Sequence, residues 1–180
     1  MQDNLCVAIS GTPGSGKTSL SKLFQDNNIS VHSVKELAEQ YQCIGEVDQT
    51  DGAQEIDIHR LADEWENEET GLVIIDGHLA HFLDVDAVVL LRCNPNDLEI
   101  RLSKRGYSEQ KVRANSEWEL IAGNWSELLE FEIELPILEL DSTGQSPEDL
   151  FKKVNQWIAE GLPYSSVSEE SRVAIDWIKS

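Results

Sequence analysis

Short, nearly continuous apolar runs alternate along this chain with segments whose apolar residues recur at helical spacing. Residues 5–10 form the first run, and Leu20, Leu23 and Phe24 follow it at the spacing of an amphipathic helix. A second strand is predicted over residues 29–32. Ser33 then stands where it can cap a helix running through Leu37 and Ala38 toward Tyr41. Residues 43–54 hold Gly45, Gly52 and several acids without periodicity, which predicts a mobile insertion. His59, Leu61 and Trp65 mark a further helix.

The runs at 72–75 and 87–91 are aliphatic throughout, as expected of central strands covered on both faces. Asn94 with Pro95 behind it opens a helix carrying Leu98 and Leu102 and ending near Gly106. One long helix is predicted over 108–131 and a last strand over 137–140. Ser146, Pro147 and Asp149 then open a helix through Phe151, Val154, Trp157 and Ile158. Strands alternating with helices predict one doubly wound α/β domain, 1–180, whose ligands sit beyond the carboxyl ends of the strands. Its tail, 164–180, contains Val173, Ile175, Trp177 and Ile178 and is expected to dock as a helix on the body or on a partner.

The loop after the first strand reads GTPGSGKT over residues 11–18, the G-x-x-x-x-G-K-[ST] pattern in its required setting between a strand and a helix. Gly11, Gly14 and Gly16 permit positive φ, so that successive N–H groups, Ser15 included, face a β-phosphate with the following helix N-terminus behind them. Lys17 supplies a charge between the β- and γ-phosphates, Thr18 a hydroxyl for Mg²⁺, and Ser19 a candidate contact to the α-phosphate. ATP binding is therefore the first functional expectation.

A magnesium-bound nucleotide also calls for a carboxylate, and VIIDGH puts Asp76 at the end of a hydrophobic strand as a second metal ligand beside Thr18. His78 has two readings. It positions a water or a phosphoryl oxygen next to Asp76, or it begins the next helix.

Charge narrows the partners. Fourteen Lys plus Arg against 34 Asp plus Glu give a net charge of -20, a surface that repels nucleic acid and argues against non-specific binding to it. A phosphate-bearing substrate must be held by a few concentrated cations. Three cysteines, Cys6, Cys43 and Cys93, have neither disulfide nor zinc spacing and are expected to be small buried hydrophobes. Asp3 and the missing basic start argue against a secretory signal. No apolar run approaches the roughly 20 residues of a membrane span, so a soluble, cytoplasmic protein is expected.

Four segments give a resemblance to a known family: GTPGSGKTS at 11–19, DGH at 76–78, NPNDLEIRL at 94–102 and RGYSEQKVRAN at 105–115. In these the chain resembles the adenylate kinase isoenzyme 6 family, over most of its first 160 residues. The resemblance implies a three-layer P-loop nucleoside monophosphate kinase fold with a central parallel sheet. It also implies transfer of the terminal phosphate of ATP to AMP or another nucleoside monophosphate, ATPase activity linked with Asp76 and His78, and a part in rRNA and small ribosomal subunit maturation with ribosomal protein uS11 as partner. By the same similarity 33–56 is the monophosphate-binding region and 104–114 the lid. Arg105, next to Gly106, can swing onto the transferring phosphoryl group as a catalytic, ATP-binding cation, with Arg101 and Arg113 as candidates to assist. The chain departs from the family at Glu39, where relatives often carry a basic residue. Lys35, Arg60 and Arg92 are left as candidates for the acceptor's counter-charge. An assembly ATPase with little kinase activity is the alternative.

Overall fold

The computed structural model describes residues 4–49 and 53–179. Strand β1 (Asn4–Gly11) runs into the glycine loop, helix α1 (Lys17–Asp26), strand β2 (Ser30–Ser33) and helix α2 (Val34–Gln40). Ser33 and Glu36 form a reciprocal capping box that fixes the start of α2. The segment predicted as an irregular insertion instead contains β3 (Ile44–Val47) and β4 (Gln54–Ile56), paired antiparallel. Ile44 and Ile56 face each other there and pack on the core, an anchor that the acidic composition conceals. Of that insertion, residues 50–52 lie outside the described residues.

Next come α3 (Ile58–Glu64), β5 (Gly71–Asp76), a 3₁₀ turn (Ala80–Phe82), β6 (Ala87–Arg92) and α4 (Pro95–Lys104). The predicted single helix over 108–131 is two: α5 (Glu109–Leu120) and α6 (Gly123–Glu130). Ala122 between them is left-handed with φ 54°. The Trp118 ring occupies the space beside Gly123, where a Cβ would lie 2.2 Å from it. Strand β7 (Ile137–Asp141), α7 (Pro147–Ala159) and the short α8 (Val167–Arg172) complete the order.

Five strands form one parallel sheet in the order β2-β5-β1-β6-β7. Strand alternation sends Leu5, Val7 and Ile9 of β1 with Ile74, Val89 and Leu91 against α1 and α7, where Phe24, Val154 and Trp157 receive them. Cys6, Ala8, Val73, Ile75, Val88 and Leu90 face the other way, onto Leu37, Leu61, Trp125 and Leu128. Both faces are thus apolar and covered, which is why these strands read as unbroken aliphatic runs. A third small cluster, Cys93, Leu98, Leu102 and Val112 with Tyr107, ties α4 to α5 and gives residues 104–114 a footing of their own. All three cysteines are buried free thiols. Burial pushes the Cys6 thiol up to about 12. Among the described residues no helix is long and apolar enough to cross a membrane.

Candidate active site

The site lies where β1, β5 and β6 end together. Ile9 is in register with both Asp76 and Val89, so the loop leaving β1 and the carboxylate ending β5 open into one crevice. Gly11 leaves the strand with φ 141°, and a Cβ there would stand 2.3 Å from Leu91 O. Gly14, at φ 88°, lies on the side chains of Leu98 and Leu102. Both positions need glycine, the first for close backbone passage and the second to seat the loop on α4. Gly16 is the N-cap of α1 and brings no side chain to cap it, which leaves the first N–H groups of the helix facing the loop. The buried Ser15 hydroxyl has no hydrogen-bond partner among the described residues.

Lys17 donates through Nζ to Gly11 O at 2.9 Å and Thr12 O at 3.1 Å. Burial pushes its pKa down to about 8, and Arg105 pushes the same way. Asp76 and Glu119 oppose them. Asp76 is displaced in the opposite sense: burial raises its carboxyl above the ordinary range, while Lys17 and the Thr18 hydroxyl partly offset this. Gly77 follows in close contact with Val34, its N–H donating to Ile9 O at 3.2 Å. His78 follows Asp76 and Gly77 and keeps part of its side chain exposed to solvent. Partial loss of water, reinforced by Lys17, pushes its pKa down to about 4, so the imidazole is neutral at pH 7. His78 precedes the 3₁₀ turn and does not itself start a helix.

On the other side of the glycine loop lies a cleft of about 420 Å³. Ser19, Arg101, Lys104 and Arg105 line it together with the loop, and Arg101 donates to Gly14 O at 3.2 Å. Arg113 is separate: its exposed side chain pairs with Glu117 one turn along α5. Arg92 does not face an acceptor, because it is wholly buried against Glu119 and Glu139 at 2.7 and 2.6 Å. Arg60 pairs with Glu64 and donates to Gln42 O, and Lys35 is exposed on α2.

Two hydrogen-bonded sets in the site escaped the sequence pattern. Thr12 donates to the buried Glu119 at 2.5 Å and accepts from Asn124. Ser10 contacts His81 Nδ1 at 2.6 Å, and His81 Nε2 faces Glu127 at 3.0 Å. Glu119 is one of many acids on a polar helix, and His81 sits in no recognisable motif, so neither carries a local signal. Among the described residues no group of three or more His, Cys, Asp or Glu could hold a metal ion by itself.

A parallel five-stranded sheet, a phosphate loop at the end of its central strand and a carboxylate on the next strand define the fold of the P-loop kinases. Solved structures agree. Shikimate kinase from Acinetobacter baumannii in complex with shikimate superposes with a TM-score of 0.59 at 14% identity, covering 88% of this chain and 95% of the other. Deoxyadenosine kinase from M. mycoides with bound dATP gives 0.51 at 16% identity, over 87% of this chain and 100% of the other. The family model described as an AAA domain matches residues 7–122. A protein of Thermococcus onnurineus named "Putative adenylate kinase" is 40% identical over 176 residues, covering 96% of this chain and 91% of the relative. Proteins of the same name from Archaeoglobus fulgidus and Methanocaldococcus jannaschii are 37% and 32% identical, covering 83% and 95% of this chain and 80% and 92% of the relatives. The chain belongs to this archaeal family of nucleoside monophosphate kinase-like P-loop proteins.

Proposed function

We propose that the protein transfers the terminal phosphoryl group of ATP to AMP or a related nucleoside monophosphate and hydrolyses ATP slowly when no acceptor is bound. The observation that carries this reading is the convergence on the Lys17 loop of Asp76, which ends β5 in register with Ile9, and Arg105, which lines one cleft with Gly14, Ser15 and Gly16. The loop N–H groups and the open α1 N-terminus bind the phosphates. Lys17 moves from its own carbonyls onto them, and Arg105, with Arg101 and Lys104 beside it, neutralises charge on the transferring group. Such catalysis rests on positioning and electrostatics rather than on a protein nucleophile.

Thr18 and Asp76 fit Mg²⁺. They offer a hydroxyl and a half-buried carboxylate, hard oxygen donors, and the raised pKa of Asp76 marks a charge that its surroundings do not fully compensate. The ion, when bound with ATP, supplies charge neutralisation at the phosphates. The neutral imidazole of His78 positions a water or a phosphoryl oxygen next to Asp76 by hydrogen bonding, a role open to transfer and hydrolysis alike.

A second reading, a nucleotide-switched assembly ATPase acting on the immature small ribosomal subunit through uS11, is favoured by one observation. Engagement of Arg92 by Glu119 and Glu139 leaves the acceptor side poor in cations. Initial rates of ATP turnover, alone and with AMP, CMP, GMP or UMP, for the unaltered chain and for Lys17→Ala and Arg105→Ala, separate the two. Stimulation by one monophosphate that both variants lose supports the kinase. Slow turnover indifferent to all four overturns it in favour of the ATPase.

A further inference from the structure

The C-terminal segment reaches back to the foot of the glycine loop through a buried charged network. Glu119, with no exposed surface, receives four donors on its side chain. Its Oε1 accepts from Arg92 Nε at 2.7 Å, Trp177 Nε1 at 2.9 Å and Cys93 N at 3.3 Å, and its Oε2 accepts from the Thr12 hydroxyl at 2.5 Å. Arg92 continues the network to Glu139 Oε1 at 2.6 Å and to Ile175 O at 3.2 Å, with its guanidinium over the Trp177 ring. Glu139 accepts in turn from Ile175 N at 3.0 Å and Trp125 Nε1 at 2.8 Å. Two carboxylates and one guanidinium leave this cluster one negative charge in excess, and the N–H groups of the tail and of Trp125 balance what Arg92 does not.

We infer that Trp177 is a positioning residue of the nucleotide site: by donating to Glu119 it fixes the carboxylate that holds Thr12, and with it the carbonyl against which Lys17 rests. The chain of contacts has no slack. Thr12 is itself buried, its hydroxyl bridges Glu119 and Asn124, and its carbonyl accepts from both Lys17 Nζ and Ser15 N. Glu119 also helps to hold up the Lys17 pKa. A carboxylate that loses its Trp177 donor recovers a partner only by shifting toward Arg92 or pulling on Thr12, and either movement displaces the loop. This inference rests on the reading of residues 11–18 as an ATP site.

Calorimetric titration of ATP with Mg²⁺ into the full chain tests it, with Trp177→Phe, Thr12→Val, the double variant and Ile178→Ala compared. Phenylalanine keeps the ring over Arg92 and removes only the N–H. The expected result is a Kd raised about tenfold in each single variant. The double variant is expected to be little weaker than either single one, because both cut the same chain. The exposed Ile178→Ala should bind as the unaltered chain does. Steady-state rates should show the loss of Trp177 in KM for ATP more than in kcat. A Trp177→Phe chain with a lower Tm but an unchanged Kd, or strictly additive effects in the double variant, would overturn the inference and leave the tail a packing element. Failure of the unaltered chain to bind ATP would instead remove the nucleotide site itself, and this role with it.

Discussion

Ser10 Oγ and His81 Nδ1 lie 2.6 Å apart beneath the glycine loop, both buried. The same hydroxyl reaches His78 O at 3.2 Å, and Glu127 orients the imidazole from its far side at 3.0 Å. Because Ser10 has no exposed surface, the set is a tie between β1 and the segment after Asp76, not a nucleophile.

Ser10→Ala should therefore cost about 1–2 kcal/mol of stability by leaving His81 Nδ1 without its partner. It should also lower turnover by releasing the backbone of His78. Urea denaturation alongside ATP turnover checks both. Unchanged stability with intact turnover would show that the tie is dispensable.

Lys17 should make nucleotide binding sensitive to alkaline pH. Below pH 8 it is charged in the folded and unfolded chain alike, and its burial costs stability. As the pH rises from about 8 toward 10.5 the unfolded chain binds the proton that the folded chain has released, so this cost is relieved. ATP binding moves the other way, since phosphate needs the ammonium. At about pH 8.5 binding should take up most of one proton, and above pH 8 affinity should fall by up to tenfold per pH unit. Calorimetry in two buffers of different ionisation enthalpy reads the proton count, which Lys17→Met should abolish.

Asp76 is kept at the expense of stability. Its raised pKa means that folding disfavours the ionised form, a loss that begins as pH rises above the ordinary carboxylate value and is complete once pH passes the folded-state pKa. Asp76→Asn should make the nucleotide-free chain more stable by about 1 kcal/mol, or roughly 2–4 °C in Tm, while abolishing turnover. Calorimetric melting at pH 7 and pH 4 tests the sign, because the advantage should shrink in acid.

Arg105→Ala should lower kcat about a hundredfold while leaving KM for ATP within severalfold, the pattern of a cation that acts on the transferring group. Arg113→Ala, whose side chain is 79% exposed beside Glu117, should stay within about twofold of the unaltered chain. Equal effects of the two would contradict the division of roles drawn from the cleft.

Gly11→Ala should be among the most damaging single changes in the loop. Its φ of 141° and the 2.3 Å approach of a Cβ to Leu91 O combine backbone strain with a clash against main chain, costing about 2–4 kcal/mol. Thermal melting and ATP titration measure the two consequences.

Local rules determined much of this protein from sequence. Covered strands must be apolar on both faces, capping residues must sit at helix starts, and a phosphate loop needs glycine and lysine at fixed spacing, so the alternation of elements and residues 11–18 with Asp76 were legible as strings. Tertiary structure decided what depends on distant partners. The break at Ala122 follows from where Trp118 lies against Gly123, and the hairpin at 44–56 from the docking of Ile44 and Ile56 on the core. Arg92 looked like a substrate cation until Glu119 and Glu139 enclosed it. Thr12, Glu119 and Trp177 became one unit only because the fold brings together residues 107 and 58 positions apart, and the desolvation that gives each its weight does not exist in an unfolded chain.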